Sequence, residues 1–164
     1  MNIVFLDIDG PMIPARALFM QEQTEGYPTR FDPCAVGLLN ELCKRADAKI
    51  VIHSHWRKSF WHLENVPDIK KHLIEQGISE EHFHDVHLCP RKLTSDRWHD
   101  INMWVDDCDE DIDGFVILED EEPHEHFRHI HNLVAIDYDE GFTFERFNAA
   151  LKVLGQPPIS LTLI

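Results

Sequence analysis

The chain has 164 residues, of which 43% are hydrophobic, and both values are typical of one soluble globular domain with a single core. Its formal net charge of -15 disfavours binding to a long nucleic-acid duplex, because that binding needs Lys and Arg side chains to neutralise many phosphates. No stretch reaches the roughly 18 apolar residues of a membrane span, and the N-terminus lacks a basic leader with a cleavage site. We therefore expect a single domain over residues 1–164 in the cytoplasm, with no membrane partner.

The first predicted element is a buried strand over residues 3–6 that is followed by two acids, Asp7 and Asp9, and by Gly10. A short apolar run of this kind is typical of a parallel sheet, and open α/β sheets bind ligands at the carboxyl ends of their strands. Side chains alternate along a strand, so Asp7 and Asp9 share one face if the strand continues that far. Neighbouring carboxylates repel each other, and a divalent cation removes that repulsion. The alternative is a solvated turn, since Asp and Gly are ordinary turn residues.

The rest of the chain alternates between helical and extended patterns. Residues 11–29 are irregular and long enough to cover a site, so we predict a flap there. Asp32 and Pro33 are typical of a helix start, and the apolar spacing continues that helix to about residue 46. The further predicted elements are a strand over 49–52, a helix over 67–76, a weak strand over 82–88, a helix over 95–105, strands over 115–118 and 133–136, and a helix over 144–154.

This order of elements predicts an α/β fold, with a doubly wound, mostly parallel sheet and helices on both faces. The connections between elements are too short for a large cap domain. A site at the sheet edge is therefore expected to be covered mainly by the flap over residues 11–29.

Polar residues follow two more of the predicted strands. Ser54 follows the second strand, where a hydroxyl beside free backbone N–H groups suits a phosphate oxygen. Of its neighbours His53 and His55, we expect one to pack in the core and the other to face solvent. Glu119 and Asp120 follow the fourth strand, and carboxylate oxygens are ligands that Mg²⁺ prefers. Solvated loop residues are the alternative for both segments.

A fixed positive charge for the same phosphate has three candidates near the third predicted helix. We prefer Arg97, at the start of that helix, over Lys92 and Arg91, which precede it. The alternative is that all three are surface charges, as most Arg and Lys side chains are.

These four segments, in this order, resemble the four motifs of the haloacid dehalogenase superfamily of phosphohydrolases. The matching stretches are DIDG at residues 7–10, Ser54 in IVIHSHWR, Arg97 in SDRWHDINMW or Lys92 before it, and VILED ending at Asp120. The last three look most like the branch that forms the haloacid dehalogenase domain of Swiss Army Knife RNA repair proteins. Two positions depart from the usual pattern: Pro11 stands where Thr or Val is commoner, and Glu119 where Asp or Gly is commoner.

The resemblance implies a phosphatase that works through an aspartyl-phosphate. Asp7 is then the nucleophile, and Asp9 protonates the leaving oxygen and later activates water. The implied cofactor is Mg²⁺, held by Asp7, the backbone carbonyl of Asp9 and Asp120, with help from Glu119. The resemblance assigns the remaining phosphate oxygens to Ser54 and to the cation near the third helix.

The expected substrate is a nucleotide or a nucleic-acid end phosphate, and a generic small phosphate ester is second. A strand end needs only a local basic patch, for which we consider Arg57, Lys58 and Arg91, with Trp56 stacking on a base. A different kind of answer is a catalytically silent binding protein that keeps the fold, for example a phage-type module that captures a host component. A Mg²⁺-dependent phosphatase screen distinguishes these alternatives.

The histidine-rich segment over residues 124–131 offers a possible zinc site, because His124, His126, His129 and His131 carry suitable nitrogen ligands. Their spacing is not that of a known zinc motif. We interpret them as surface residues whose ordinary pKa lets such a surface titrate.

Overall fold

The computed structural model describes residues 1–19, 30–59, 68–90, 97–121 and 128–160, and the structural statements below concern these residues. Its strands are β1 (Asn2–Leu6), β2 (Ala48–Ile52), β3 (Phe83–Leu88), β4 (Gly114–Glu119) and β5 (Leu133–Ala135). They form one parallel sheet in the order β3-β2-β1-β4-β5. The helices are α1 (Pro33–Ala46), α2 (Trp56–Ser59), α3 (Ile69–Glu75), α4 (Arg97–Asp107) and α5 (Phe144–Val153).

The longest helix, α1, begins where its sequence predicts. The Asp32 carboxylate accepts a hydrogen bond from the backbone N–H of Cys34 at 2.8 Å, and Pro33 occupies the first turn, where its missing N–H costs nothing. At the other end of the chain, Thr143 caps α5 and Gly155 follows it with a φ of +71°. Local signals therefore set these helix boundaries.

Helices cover both faces of the sheet, because β1 carries apolar side chains on both. Val4 and Leu6 pack into the core formed with α1, α3 and α5, whereas Ile3 and Phe5 pack into the core formed with α4. Each buried side chain of this size stabilises the fold by about 1.5 to 3 kcal/mol relative to exposure. The predicted α/β class, doubly wound with helices on both faces, is confirmed.

The register of the central strands brings their carboxyl ends to one edge. Leu6 of β1 pairs with Ile52 of β2 and with Leu118 of β4. The pairing continues past the strand end, since the N–H of Asp7 donates to the carbonyl of Leu118 at 3.0 Å. The residues that follow β1, β2 and β4 therefore start from the same edge of the sheet.

The segment after β1 turns back on itself and is anchored to the C-terminal part of the chain. The N–H groups of Met12 and Ile13 both donate to the carbonyl of Ile8, and Pro11 accepts from the N–H of Phe142. A 3-10 helix follows over Ala15–Phe19, where the sequence predicted irregular structure. Residues 20–29 lie outside the described residues, so the flap stays a prediction, as does the single-domain organisation. No helix of the described chain is both long and apolar enough to cross a membrane.

Candidate active site

Asp7 lies at the centre of the candidate site and is 2% exposed. Its Oδ2 lies 3.1 Å from Nη1 of Arg97, and its Oδ1 is buried without a hydrogen bond from the described part of the chain. Burial raises the pKa of Asp7 well above its usual range, and the charge of Glu119 raises it further. Arg97 and the Ser54 hydroxyl act in the opposite direction. The ionised carboxylate therefore depends on positive charge nearby.

Arg97 supplies that charge from the first residue of α4. Its Nη1 also donates to Oε2 of Glu119, and its Nη2 lies 2.8 Å from Oε1 of Glu121. The same Nη2 lies 2.8 Å from Nδ1 of His55, which faces solvent. A guanidinium has five N–H donors in a planar fork, and this geometry lets one side chain join all four groups.

Asp120 approaches the loop after β1 very closely, and Gly10 makes this approach possible. A Cβ atom at residue 10 would lie 2.5 Å from Cβ and 2.8 Å from Oδ2 of Asp120, and Gly10 has a φ of +76°. Only glycine combines that backbone conformation with the missing side chain. The DIDG turn is therefore shaped to receive the acid that follows β4.

The structure brings three of the predicted metal ligands together. Asp7, Glu119 and Asp120 each offer a carboxylate oxygen, and these oxygens all lie within 4.8 Å of one another. Burial, together with the contact with Glu119, raises the pKa of Asp120 to about 7. An all-oxygen donor set, an unpartnered buried Oδ1 on Asp7 and crowded negative charge together fit a hard divalent cation such as Mg²⁺.

Asp9 leaves this group of carboxylates and takes a different partner. Its side chain is exposed, and its Oδ2 accepts a hydrogen bond from Nε1 of Trp56 at 2.8 Å. Because β1 ends at Leu6, the condition for a shared face is not met, and Asp7 is buried whereas Asp9 is exposed. The backbone carbonyl of Asp9 as a metal ligand stays a prediction.

Ser54 is fully buried beside Asp7, where its hydroxyl lowers the pKa of that carboxylate. Its Oγ accepts a hydrogen bond from the backbone N–H of Trp56 at 3.2 Å, which caps the start of α2. Ser54 therefore lies between Asp7, the candidate nucleophile, and α2, whose first residue Trp56 is the partner of Asp9.

His53 is a member of the site that the sequence analysis did not assign to it. It is fully buried, and its Nε2 lies 3.0 Å from Oε2 of Glu119. Burial lowers the pKa of His53 and favours the neutral ring. The backbone N–H of His53 donates to the carbonyl of Leu6, which continues the β2–β1 pairing by one residue. Alternation along β2 does not distinguish His53 from His55, because side chains two residues apart point the same way; His55 is exposed, as expected for one of the two histidines.

Of three further basic residues named in the sequence analysis, the structure describes only Arg57. Arg57 is wrong as part of a phosphate-binding patch: it is 3% exposed, and its guanidinium bonds to the Asp100 carboxylate and to the carbonyl of Cys89. The charge of Arg57 is neutralised by Asp100 in a buried ion pair on the α4 side of the sheet. Lys92 and Arg91 lie outside the described residues, so their assignment as phosphate ligands stays a prediction.

The zinc hypothesis for the histidine-rich segment is not tested, because His124 and His126 lie outside the described residues. Within the described segment, His129 Nε2 lies 2.8 Å from Oδ1 of Asn102, and His131 is exposed. The set of three candidate metal ligands that the described residues bring together is the carboxylate set of Asp7, Glu119 and Asp120.

The sequence model of the haloacid dehalogenase domain in Swiss Army Knife RNA repair proteins matches residues 3–147. The chain belongs to this family. The match includes every residue of the acidic cluster, and it confirms the resemblance drawn from the four motifs. Haloacid dehalogenase domains are phosphohydrolases at the level of the superfamily, and they typically depend on Mg²⁺. Comparison with curated proteins and with solved structures gave no significant match.

Proposed function

We propose that this haloacid dehalogenase domain is a Mg²⁺-dependent phosphomonoester hydrolase in which Asp7 is the nucleophile. One observation carries the proposal: residues far apart in the chain, Asp7, Glu119 and Asp120, place carboxylate oxygens within 4.8 Å of one another. Their meeting point is the carboxyl edge of a parallel sheet, where α/β proteins bind ligands. Among the described residues, no other group of metal-ligating side chains has this arrangement.

In the first step, a carboxylate oxygen of Asp7 attacks phosphorus and the bond from phosphorus to the ester oxygen breaks. Asp9 gives its proton to the departing oxygen, so the alcohol leaves neutral and the phosphoryl group remains on Asp7. Because Asp7 is 2% exposed, binding of the phosphate requires that a covering side chain moves aside.

In the second step, Asp9 takes a proton from a water molecule, and the oxygen of that water attacks phosphorus. The bond between phosphorus and the Asp7 oxygen breaks, which releases inorganic phosphate and restores the carboxylate of Asp7. One residue serves as acid and then as base because the second step returns to Asp9 the proton that it gave up in the first.

Asp7, Glu119 and Asp120 are the residues that would hold Mg²⁺, with the carbonyl of Asp9. When bound, the cation neutralises the acids and stabilises negative charge on the transferring phosphoryl group. Arg97 adds a fixed positive charge against Asp7, which lowers the pKa of this carboxylate and so opposes part of the rise that burial causes. Ser54 lies beside Asp7 and is the hydroxyl available to a phosphate oxygen.

We propose a nucleotide or a nucleic-acid end phosphate as the substrate. The family to which the chain belongs takes its name from RNA repair proteins, and a single terminal phosphate needs no extended basic surface. The net charge of -15 disfavours binding along a duplex.

The test is a substrate panel with Mg²⁺ that runs from nucleoside monophosphates to oligonucleotides with a 3′ or a 5′ phosphate, and that includes a simple alkyl phosphate. We expect phosphate release that stops when the metal is chelated and that falls by at least about 1,000-fold in Asp7→Asn, since the nucleophile is lost. Asp109→Asn makes the same change of charge at an exposed acid and is expected to leave release unchanged.

Release that is unaffected by Asp7→Asn overturns the assigned mechanism. Equal rates on the simple ester and on the nucleotides favour the generic phosphatase over a nucleotide enzyme. The absence of release from every substrate at micromolar enzyme favours a silent binding protein.

A further inference from the structure

We propose that Trp56 is a positioning residue for the acid-base carboxylate Asp9, and this inference rests on the proposed hydrolase function. Indole Nε1 of Trp56 donates to Oδ2 of Asp9 at 2.8 Å, within the usual range of an N–H···O hydrogen bond. Asp9 is exposed, and an exposed Asp side chain ordinarily rotates freely in water. A fixed donor on one oxygen removes that freedom.

The donor is itself held in place by contacts from three directions. The Trp56 ring stacks on His72 of α3, with centroids 6.1 Å apart and planes at 25°, and meets the ring of Phe31 edge-on at 6.4 Å. The Trp56 backbone N–H donates to Oγ of Ser54. An indole has only two side-chain torsions, so contacts on the ring and on the backbone fix the direction of its N–H.

This arrangement distinguishes the two oxygens of Asp9. Trp56 engages Oδ2, so Oδ1 is the oxygen left for the proton transfers of the proposed mechanism. Trp56 does not contact the reacting atoms in this scheme; it acts through Asp9.

The same contact connects two motifs of the sequence. Ser54, which the proposal places at the phosphate, caps the helix that begins with Trp56, and Trp56 orients Asp9 two residues after the nucleophile. Because Trp56 is two residues after Ser54, its backbone N–H bonds to the Ser54 hydroxyl while its indole N–H bonds to Asp9.

The test uses the dependence of rate on the leaving group. An alkyl phosphate needs a proton on its departing oxygen, whereas p-nitrophenyl phosphate releases a phenolate that is stable without one. For Trp56→Phe, which keeps an aromatic ring and removes the N–H, we expect kcat/KM to fall about 10- to 100-fold on the alkyl ester. On the aryl ester it stays within about 3-fold of the wild-type value, because acid catalysis contributes little there. We compare kcat/KM because it reports the steps up to formation of the aspartyl-phosphate. It does not depend on the later hydrolysis of that intermediate, which is the same for both substrates.

Two further variants separate positioning from general damage. Trp104→Phe removes the same indole N–H elsewhere, since Nε1 of Trp104 donates to the carbonyl of Val86 at 2.9 Å, and it is expected to leave the alkyl-to-aryl ratio unchanged. In an Asp9→Asn background, adding Trp56→Phe is expected to have no further effect on that ratio, because both changes act through one group. Additive effects, or equal loss on both esters in Trp56→Phe alone, overturn the inference.

An NMR measurement that does not use Trp56→Phe tests the contact even if that variant is unstable. The indole N–H resonances of the protein are compared by NMR with those of Asp9→Asn. We expect the Trp56 resonance to move as an amide replaces the carboxyl group that accepts its hydrogen bond, and the Trp104 resonance to stay in place. An unmoved Trp56 resonance overturns the contact. Wild-type protein that hydrolyses neither ester overturns the proposed function, whereas wild-type turnover with an unchanged ratio in Trp56→Phe overturns this inference alone.

Discussion

Two acidic regions of the molecule differ in a way that the sequence conceals. The stretch DDCDEDID over residues 106–113 is the denser one, and all of its acids are exposed. The other region assembles Asp7, Glu119 and Asp120 from two distant strand ends, and Asp7 and Glu119 are buried. Only the second region brings carboxylate oxygens to a common point. The position of acids at strand ends therefore indicates a metal site better than the density of acids in the sequence does.

The reason is the different access to water. Exposed carboxylates of the 106–113 stretch are solvated, and two of them have basic partners: Glu110 lies 3.2 Å from Nε2 of His84, and Asp113 lies 2.9 Å from the N-terminal ammonium. At the sheet edge, burial removes water, so charge must be offset by Arg97 and a cation or by protonation. The predictions below test this difference.

The largest effect is expected from Arg97→Met. This change leaves Asp7 and Glu119 buried without their guanidinium partner, and we expect the free energy of unfolding of the metal-free protein to fall by about 3 to 5 kcal/mol. Arg45→Met removes an exposed pair with Glu41 and costs about 0 to 1 kcal/mol. Urea denaturation measures both values, and similar values for the two variants contradict the buried network.

The second effect concerns metal affinity. Asp120→Asn removes one ligand from the converging set, so we expect Mg²⁺ binding, measured by calorimetry, to weaken by about 10- to 100-fold. Asp109→Asn changes the net charge equally in the exposed stretch and is expected to leave the affinity unchanged. Equal weakening in both variants indicates that overall charge, not ligation, attracts the ion.

A smaller effect is expected where Asp120 meets the DIDG turn. Gly10→Ala places a Cβ atom 2.5 Å from that of Asp120 at a φ of +76°, so the protein is destabilised by about 1 to 3 kcal/mol and Asp120 is displaced from the cluster. Gly37→Ala is the matched control, because nothing lies within 4 Å of its Cβ position in α1, and it stabilises the helix by about 0.5 to 1 kcal/mol. Thermal unfolding with and without Mg²⁺ measures both variants, and a Gly10→Ala protein with wild-type stability and wild-type response to Mg²⁺ contradicts the close approach.

The smallest effect is a dependence on pH. Asp120 has a folded-state pKa of about 7 against 3.8 for an ordinary Asp, and the pKa of Asp7 is also raised. The folded metal-free protein therefore binds more protons than the unfolded chain between these values, and this part of its stability is lost as pH rises through about 7. Mg²⁺ prefers the ionised acids, so the rise in Tm on adding Mg²⁺ is expected to be larger near pH 8 than near pH 5.5. A rise of the same size at both pH values is the contrary result.

The sequence predicts most of the fold because its signals are local. The apolar runs correspond to the strands, and Asp32 with Pro33 marks the start of α1 where the structure has it. The acidic cluster was predictable as well, since parallel strands end at one edge and the acids follow β1 and β4 directly. Arg57 was misjudged because no local pattern shows that Asp100 of α4 lies opposite it across the sheet face. The partner of Asp9 was missed for the same reason.

By itself, the sequence determined the order of the elements, the parallel sheet and the identity of the acids at its edge, because hydrophobic spacing and capping act over a few residues. Tertiary structure alone decided which groups meet: Glu119 with His53 and Arg97, and Asp9 with Trp56. These contacts join residues tens of positions apart, and their geometry depends on strand register and on helix placement against the sheet. Burial then sets the charge state of each acid, and the residue type alone does not determine that state.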